Sequence, residues 1–193
     1  MLNEQDAINV IRFRLSARRF QHSLDVARVA RDMARHYGVD SDKAYLTGIL
    51  HDYAKGIPGS ELLAIAEANQ LLEEEIEREV PDLLHAPVGA FLVNKELGLH
   101  DEEIMQAIRY HTLGAIGMTE LDKIIYLADM IEPGRDYPGM QRLSCLAFRE
   151  LDEAMLFGIE STIKYCLDAK RILHPRSIEV WNYFLKTVKE VSC

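Results

Sequence analysis

Leu15, Arg19, His22, Val26, Val29 and Met33 follow one another at steps of four, three, four, three and four residues. Such steps put all six on one narrow stripe of an α-helix. The same periodicity recurs through nearly the whole chain, and no segment alternates apolar and polar residues well enough to make a strand. A chain whose apolar residues lie only on helical stripes buries them by packing helix against helix. The pattern predicts an all-α fold, a single bundle of about eight to ten helices. The stripe also carries an arginine and a histidine among its aliphatic residues, and burying either without a partner is costly.

The striped helix is expected to end near Gly38, where a left-handed C-cap costs little. Ser41 or Asp42 is placed to cap the next helix, which runs through Leu46, Ile49 and Leu50 to Tyr53 and is ended by Gly56 and Pro58. Further helices are expected over 60–69, 73–79, 87–97, 101–110 and 119–131. The last opens with Thr119 and Asp122 in capping-box spacing and stops at Pro133-Gly134. A long amphipathic stretch over 144–173 and a final helix over 177–191 flank His174-Pro175. With 193 residues, no repeat and no linker, the chain reads as one domain over 1–193. Its core spans about 15–135, and the 144–191 helices pack on that core.

Lys and Arg number 22 against 31 Asp and Glu, a net charge of −9, which argues against a nucleic-acid partner because that needs a basic face. It leaves room for a small phosphorylated ligand, since a bound metal brings local charge that residue counting misses. No apolar run approaches the ~20 residues needed to cross a bilayer. Met1-Leu2-Asn3-Glu4 carries acid where a signal peptide carries Lys or Arg. Cys145, Cys166 and Cys193 are odd in number and far apart, so they build neither a disulfide framework nor a zinc motif. Free thiols in a reducing compartment are expected, and with them a cytoplasmic protein of bacterial type.

The seven histidines are not alike. His36 and His100 neighbour helix ends and read as surface residues. His22 lies inside the apolar stripe. His51-Asp52 follows the run Leu46–Leu50 in a last helical turn, where the carbonyl ends favour a cation. His111 ends a helix with Ile104 and Ile108 on its inner face, and Asp129 follows Ile125 by four residues on another buried face. Histidines and carboxylates on buried faces without matching basic partners are what a metal site leaves in a sequence. Adjacent helical residues point about 100° apart, so His51 can bind one ion while Asp52 shares it and bridges towards a second.

The order His22, His51-Asp52, His85, His111, Asp129 resembles the H…HD…D signature of the HD superfamily of metal-dependent phosphohydrolases. The likeness covers nearly the whole chain. His51-Asp52-Tyr53-Ala54-Lys55, Leu84-His85-Ala86-Pro87-Val88-Gly89, His111-Thr112 and Ala128-Asp129-Met130-Ile131-Glu132-Pro133-Gly134-Arg135 narrow it to the bacterial YqeK-type group. That group hydrolyses diadenosine tetraphosphate symmetrically to two ADP. The resemblance implies that His22, His51, Asp52 and Asp129 hold an iron-type metal. In dinuclear relatives, counterparts of His85 and His111 hold a second metal; in a mononuclear site they face the phosphates, and spacing leaves both roles open.

The mechanism this implies is attack on a phosphoanhydride by metal-activated water, with Asp52 and Asp129 central and Asp129 also orienting the water. Imidazole and carboxylate ligands without thiolate suit iron, manganese, cobalt or nickel better than structural zinc. Lys55, Arg19, Arg135, His85 and His111 are assigned to charge developing on phosphate oxygens. Arg19 lies on the inward stripe and Arg18 off it, facing solvent. Lys55 reads equally as an ordinary helix-end lysine, and the Thr112 hydroxyl as a ligand to phosphate or a turn cap. Arg176, in the segment 172–177, borders a nucleotide base or simply a turn between helices. Tyr137, Trp181 and Tyr183 read as core or rim rather than base-stacking platforms, with Tyr137 the one worth testing for stacking. Glu73-Glu74-Glu75 reads as a solvated face.

The expected partner is a dinucleoside polyphosphate or ADP-like small molecule, with no nucleic acid and no membrane. The apolar face of 144–173 serves a homodimer or the core equally well. A second reading is another HD phosphohydrolase acting on deoxynucleotides, nucleoside monophosphates or guanosine alarmones. A third is a non-catalytic module that binds nucleotide or metal as a regulator.

Overall fold

The computed structural model describes residues 2–191, with side chains through Lys189; Cys193 and Met1 lie outside the described residues. The described chain is helical throughout, with no strand. Ten α-helices follow in order: α1 (Glu4–Arg14), α2 (Ala17–Tyr37), α3 (Ser41–Leu50), α4 (Gly59–Ala68), α5 (His85–Leu97), α6 (Glu102–Tyr110), α7 (Glu120–Ile131), α8 (Met140–Ala147), α9 (Leu151–Asp168) and α10 (Pro175–Val191). Two 3-10 turns, Glu75–Arg78 and Pro81–Leu84, join α4 to α5. No described helix is long and apolar enough to cross a membrane.

Local chemistry sets most boundaries. The Thr119 side chain accepts from Asp122 N while Asp122 accepts from Thr119 N, closing the expected capping box. Gly38 takes φ 72° at the end of α2, as its position required. The cap of α3 is Asp40 rather than Ser41 or Asp42, its carboxylate accepting from both Asp42 N and Lys43 N.

The structure departs from the periodicity in four places. A helix over Glu4–Arg14 precedes the stripe, capped by Asn3, and Leu15 leaves it in extended conformation. Ser16 then caps α2, so Leu15 lies outside the helix that carries the rest of the stripe. The 73–79 segment makes only one 3-10 turn, with Glu77 turned inward to accept from Glu73 N and Glu74 N. The 144–173 stretch is two helices, broken at Phe148–Glu150, and the first starts at Met140 behind Gly139.

The apolar residues gather into two clusters. One is built from α2, α7, α8, α9 and α10, with Ala44 of α3 and Ala107 of α6, around Ile124, Leu127 and Phe184. The other is built from α1, α3, α4, α5 and α6 around Ile11, Leu50 and Ile108. Helix α2 serves both, with Val26 in the first and Ala27 in the second. Its crossing with α3 is tight enough to demand a glycine: a Cβ on Gly48 would lie 2.6 Å from Ala27 Cα. Helices α3 and α7 pack on α2 along this seam, and α6 packs on α3, α5 and α7 beside it, where the polar residues gather.

Candidate metal centre

Three histidines occupy the same local position. His51 and His111 are the C-caps of α3 and α6, and His85 follows the 3-10 turn at the start of α5. At such ends the carbonyls lack helical partners. Each Nδ1 binds the carbonyl three residues earlier: His51 with Gly48 O at 2.7 Å, His85 with Asp82 O at 2.5 Å and His111 with Ile108 O at 2.7 Å. A carbonyl only accepts, so Nδ1 carries the proton and the neutral ring leaves its lone pair on Nε2. His22, midway along the first turns of α2, reaches the same state through a carboxylate, with Nδ1 3.1 Å from Glu132 Oε1.

All four Nε2 atoms turn towards Asp52, which is 3 % exposed. Its two oxygens divide them. Oδ2 lies 3.7 Å from Nε2 of His22 and 3.7 Å from Nε2 of His51. Oδ1 lies 3.5 Å from Nε2 of His85 and 3.7 Å from Nε2 of His111. Asp129, from α7, closes the first group with Oδ1 3.1 Å from His22 Nε2.

The residues fit a divalent cation. Nε2 of His22 and of His51 are buried without a hydrogen-bond partner, an arrangement that costs free energy unless something electrophilic engages them. The ligand atoms of His22, His51 and Asp129 lie within 4.8 Å of one another, as do those of His51, Asp52 and His111. Octahedral ligands at ~2.1 Å stand about 3 Å apart, which is the His22–Asp129 separation. On the other side, Nε2 of His85 and Nε2 of His111 face each other at 3.1 Å. Thr112 Oγ1 stands 3.2 and 3.1 Å from them and has one proton to donate.

Electrostatics prepare both groups. Burial lowers the His51 pKa to about 4, and burial together with His111 and Lys55 lowers His85 to about 3, so both are neutral near pH 7. Burial also acts to lower His22, but Asp129, Asp52 and Glu132 outweigh it and hold the ring above 6.5. Burial would raise Asp52; His51, His111 and His85 hold it well below the usual carboxylate range. Asp129 is likewise held low, against burial, by His22, His51 and Arg135.

A cleft of about 340 Å³ opens above these groups. Arg19 lines it and donates from Nη1 to Asp52 Oδ2 at 2.8 Å. Arg135 donates from Nε to Asp129 O at 2.8 Å and pairs with the Asp129 carboxylate. Lys55 Nζ donates to Asp82 Oδ2 at 2.8 Å from the opposite wall. Thr112 lines the cleft as well. The structure therefore brings together His22, His51, Asp52, Lys55, His85, His111, Thr112, Asp129, Arg19 and Arg135. Arg176 is not on this cleft: its guanidinium pairs with Glu73, and the neighbouring His174 accepts from Arg176 N, so the 172–177 segment anchors α10.

Some participants carried no role in the sequence. Glu132 is 4 % exposed and orients His22; its signal was an acid three residues past Asp129 beside buried Ile131. Asp82 holds Lys55, and nothing in its exposed, turn-like surroundings marked it. Tyr126 from α7 and Thr162 and Tyr165 from α9 form the remaining wall, so a helix expected only to pack on the core borders the cleft.

Comparison with known proteins agrees with this geometry. The family model described as HD domain matches residues 19–134, from Arg19 to the turn after α7. The chain is 36% identical over 184 residues, 95% of its length and 98% of the relative's, to "Bis(5'-nucleosyl)-tetraphosphatase, symmetrical" of Bacillus subtilis. It is 31% identical over 185 residues, 95% of each chain, to the protein of the same description from Staphylococcus aureus. A crystal structure from Clostridium acetobutylicum, described as an HD superfamily hydrolase involved in NAD metabolism, superposes with TM-score 0.93 at 34% identity. That match covers 97% of this chain and 99% of the other.

Proposed function

This chain belongs to the HD-domain family, and from that premise we propose that it hydrolyses diadenosine tetraphosphate symmetrically, to two ADP. The observation that carries the reading is Asp52: one carboxylate whose two oxygens each face a pair of Nε2 lone pairs, at the floor of a cleft walled by Arg19, Lys55 and Arg135.

His22, His51, Asp52 and Asp129 are assigned to the metal, with Asp52 turned also to the group of His85 and His111. Nitrogen and oxygen donors without thiolate suit iron, manganese, cobalt or nickel, and the family resemblance is what selects iron among them. A bound ion supplies Lewis acidity, lowering the pKa of water and offsetting charge on a phosphoryl oxygen. The chain supplies the rest. Arg19 and Arg135, planar donors already aimed at carboxylates, bind phosphate oxygens in the same fork geometry. Lys55 contributes a mobile point charge from the other wall, held in reach by Asp82. Thr112 donates its hydroxyl proton to the imidazole pair or to a phosphate oxygen between them. Asp129, fixed by Arg135, orients the attacking water through its carboxylate. Together these groups bring positive charge to one cleft of a protein whose net charge is −9.

Because Thr162 and Tyr165 of α9 border the cleft, the whole chain acts as one functional unit rather than a core with an accessory tail. Two free cysteines, Cys145 and Cys166, support a reducing cytoplasmic setting. The test is Asp52→Ala: metal content of the purified protein and turnover of diadenosine tetraphosphate are both expected to disappear. Full turnover by that variant contradicts the assignment. A panel of deoxynucleotides, nucleoside monophosphates and guanosine tetraphosphate separates the alternative substrates, each expected to be cleaved more slowly than the dinucleotide.

A further inference from the structure

The cleft above Asp52 does not end at its own rim. A second cavity, about 690 Å³, adjoins it, and Met130, Arg135, Thr162 and Tyr165 line both. We propose that this second cavity is a nucleoside subsite, in which a purine stacks on Tyr165 and Tyr137 while its 5′-phosphates run back past Arg135 into the cleft. The proposal rests on the phosphoanhydride reading above and names which part of this chain grips the nucleoside.

Size, lining and charge each support it. The volume falls within the ~300–1,000 Å³ of small-molecule sites. Three aromatic rings line the cavity: Tyr137 from the turn after α7, and Phe157 and Tyr165 from α9. Their mountings differ. Tyr137 is anchored by its hydroxyl, which donates to Met130 O at 3.0 Å, and Phe157 lies under the Arg142 guanidinium, 4.7 Å from its ring centre. Tyr165 is 54% exposed, a large ring left in water, with Arg171 at 5.3 Å from its centre. Such rings are what bases stack on, since every base has a π-face. Asp136 and Asp168 add carboxylates to the lining, acceptors for an exocyclic amine.

Arg135 lies where the two compartments meet, since it lines both, while Lys164 of the second cavity is paired with Glu160 at 2.8 Å. Arg18 and Arg19 are consecutive at the start of α2, and Arg19 lines the cleft while Arg18 lines the second cavity. Arg18 is exposed and has no ion-pair partner among the described residues. Arg18, Arg19 and Arg135 thus mark a track for the phosphates nearest the ribose, with aromatic rings beyond it. The sequence had placed Arg18 in solvent and Tyr137 in the core or rim; the structure puts both on one cavity.

The experiment measures binding of ADP and of inorganic tripolyphosphate to the manganese-loaded protein by calorimetry, for wild type, Tyr165→Ala and Tyr165→Phe. Tyr165 is exposed, so its replacement leaves the core intact, and Leu167→Ala on the same helix outside both cavities controls for surface effects. The expected result is a fall of roughly tenfold or more in ADP affinity relative to tripolyphosphate for Tyr165→Ala, the scale of one lost base stack. Tyr165→Phe keeps the ring and is expected to stay within about twofold of wild type. Equal weakening of both ligands, or unchanged ADP affinity in Tyr165→Ala, overturns the subsite. Retained ADP discrimination in a wild type that fails to cleave diadenosine tetraphosphate supports the subsite and overturns the hydrolase reading instead.

Discussion

Replacing Glu132 by alanine removes a carboxylate that is not assigned to the metal and yet sets the state of a ligand, His22. Glu132 accepts from His22 Nδ1 at 3.1 Å and from Gly134 N, and Arg135 Nε lies 3.5 Å away. The His22 bond keeps the proton on Nδ1 and the lone pair on Nε2, facing Asp129. Alanine at 132 frees the ring to turn or to change tautomer. Removing a partner of this kind typically costs ~10–100-fold in metal affinity, or about 1.4–2.8 kcal/mol. A hydrogen bond to a charged group, worth ~1.5–3 kcal/mol, gives the same scale independently. Glu132→Gln keeps an accepting oxygen without the charge and is expected to lose roughly half as much free energy. Calorimetric titration of the metal-free proteins with manganese reads both losses, and urea unfolding of the same samples separates them from a loss of fold. Affinities within twofold of wild type for both variants would refute the orienting role.

Three further outcomes are expected. Gly48→Ala places a Cβ 2.6 Å from Ala27 Cα and 3.0 Å from Ala27 N, both backbone atoms that cannot step aside. It should cost ~1–3 kcal/mol, at about 2–4 °C of Tm per kcal/mol, and an unchanged thermal midpoint would contradict the close helix crossing. Metal affinity should rise with pH through the His22 titration, because a ligand must be neutral and His22 is held above 6.5. His51, at about 4, and His85, at about 3, are neutral already and add no slope between about pH 5.5 and 8, so affinity that stays flat across that range argues against His22 as a ligand. Lys55→Ala should lower kcat by roughly 10²-fold with metal content unchanged, since Lys55 is assigned to the phosphate and not to the metal, and an unaltered kcat would remove it from the machinery.

What could be read from the sequence divides along physical lines. The helices and the positions of His22, His51, Asp52, His111 and Asp129 were legible because each acid or imidazole interrupts an apolar stripe, where burial needs a reason. The α1 helix was not, because only Ala7 and Ile11 of its eleven residues are buried and no stripe forms. The break at Phe148–Glu150 carries neither Pro nor Gly, so α8 and α9 read as one. Glu132 was quoted within a motif and given no task, since its work depends on His22, 110 residues away in the chain. Arg176 shows the converse. It sits beside a helix break that resembles a ligand border, but Glu73 claims its guanidinium and the segment secures α10. Local pattern marks what is buried; it does not say which distant group a side chain meets.

The central claim, symmetrical metal-dependent cleavage at the site built on Asp52, is tested most directly by the products of diadenosine tetraphosphate. The protein is incubated with the dinucleotide, with iron or manganese added or chelated away, and the nucleotides are separated by chromatography over time. ADP alone, at two per substrate consumed and only with metal present, is the predicted result. AMP with ATP, or ADP formed equally well after the metal is removed, would contradict it.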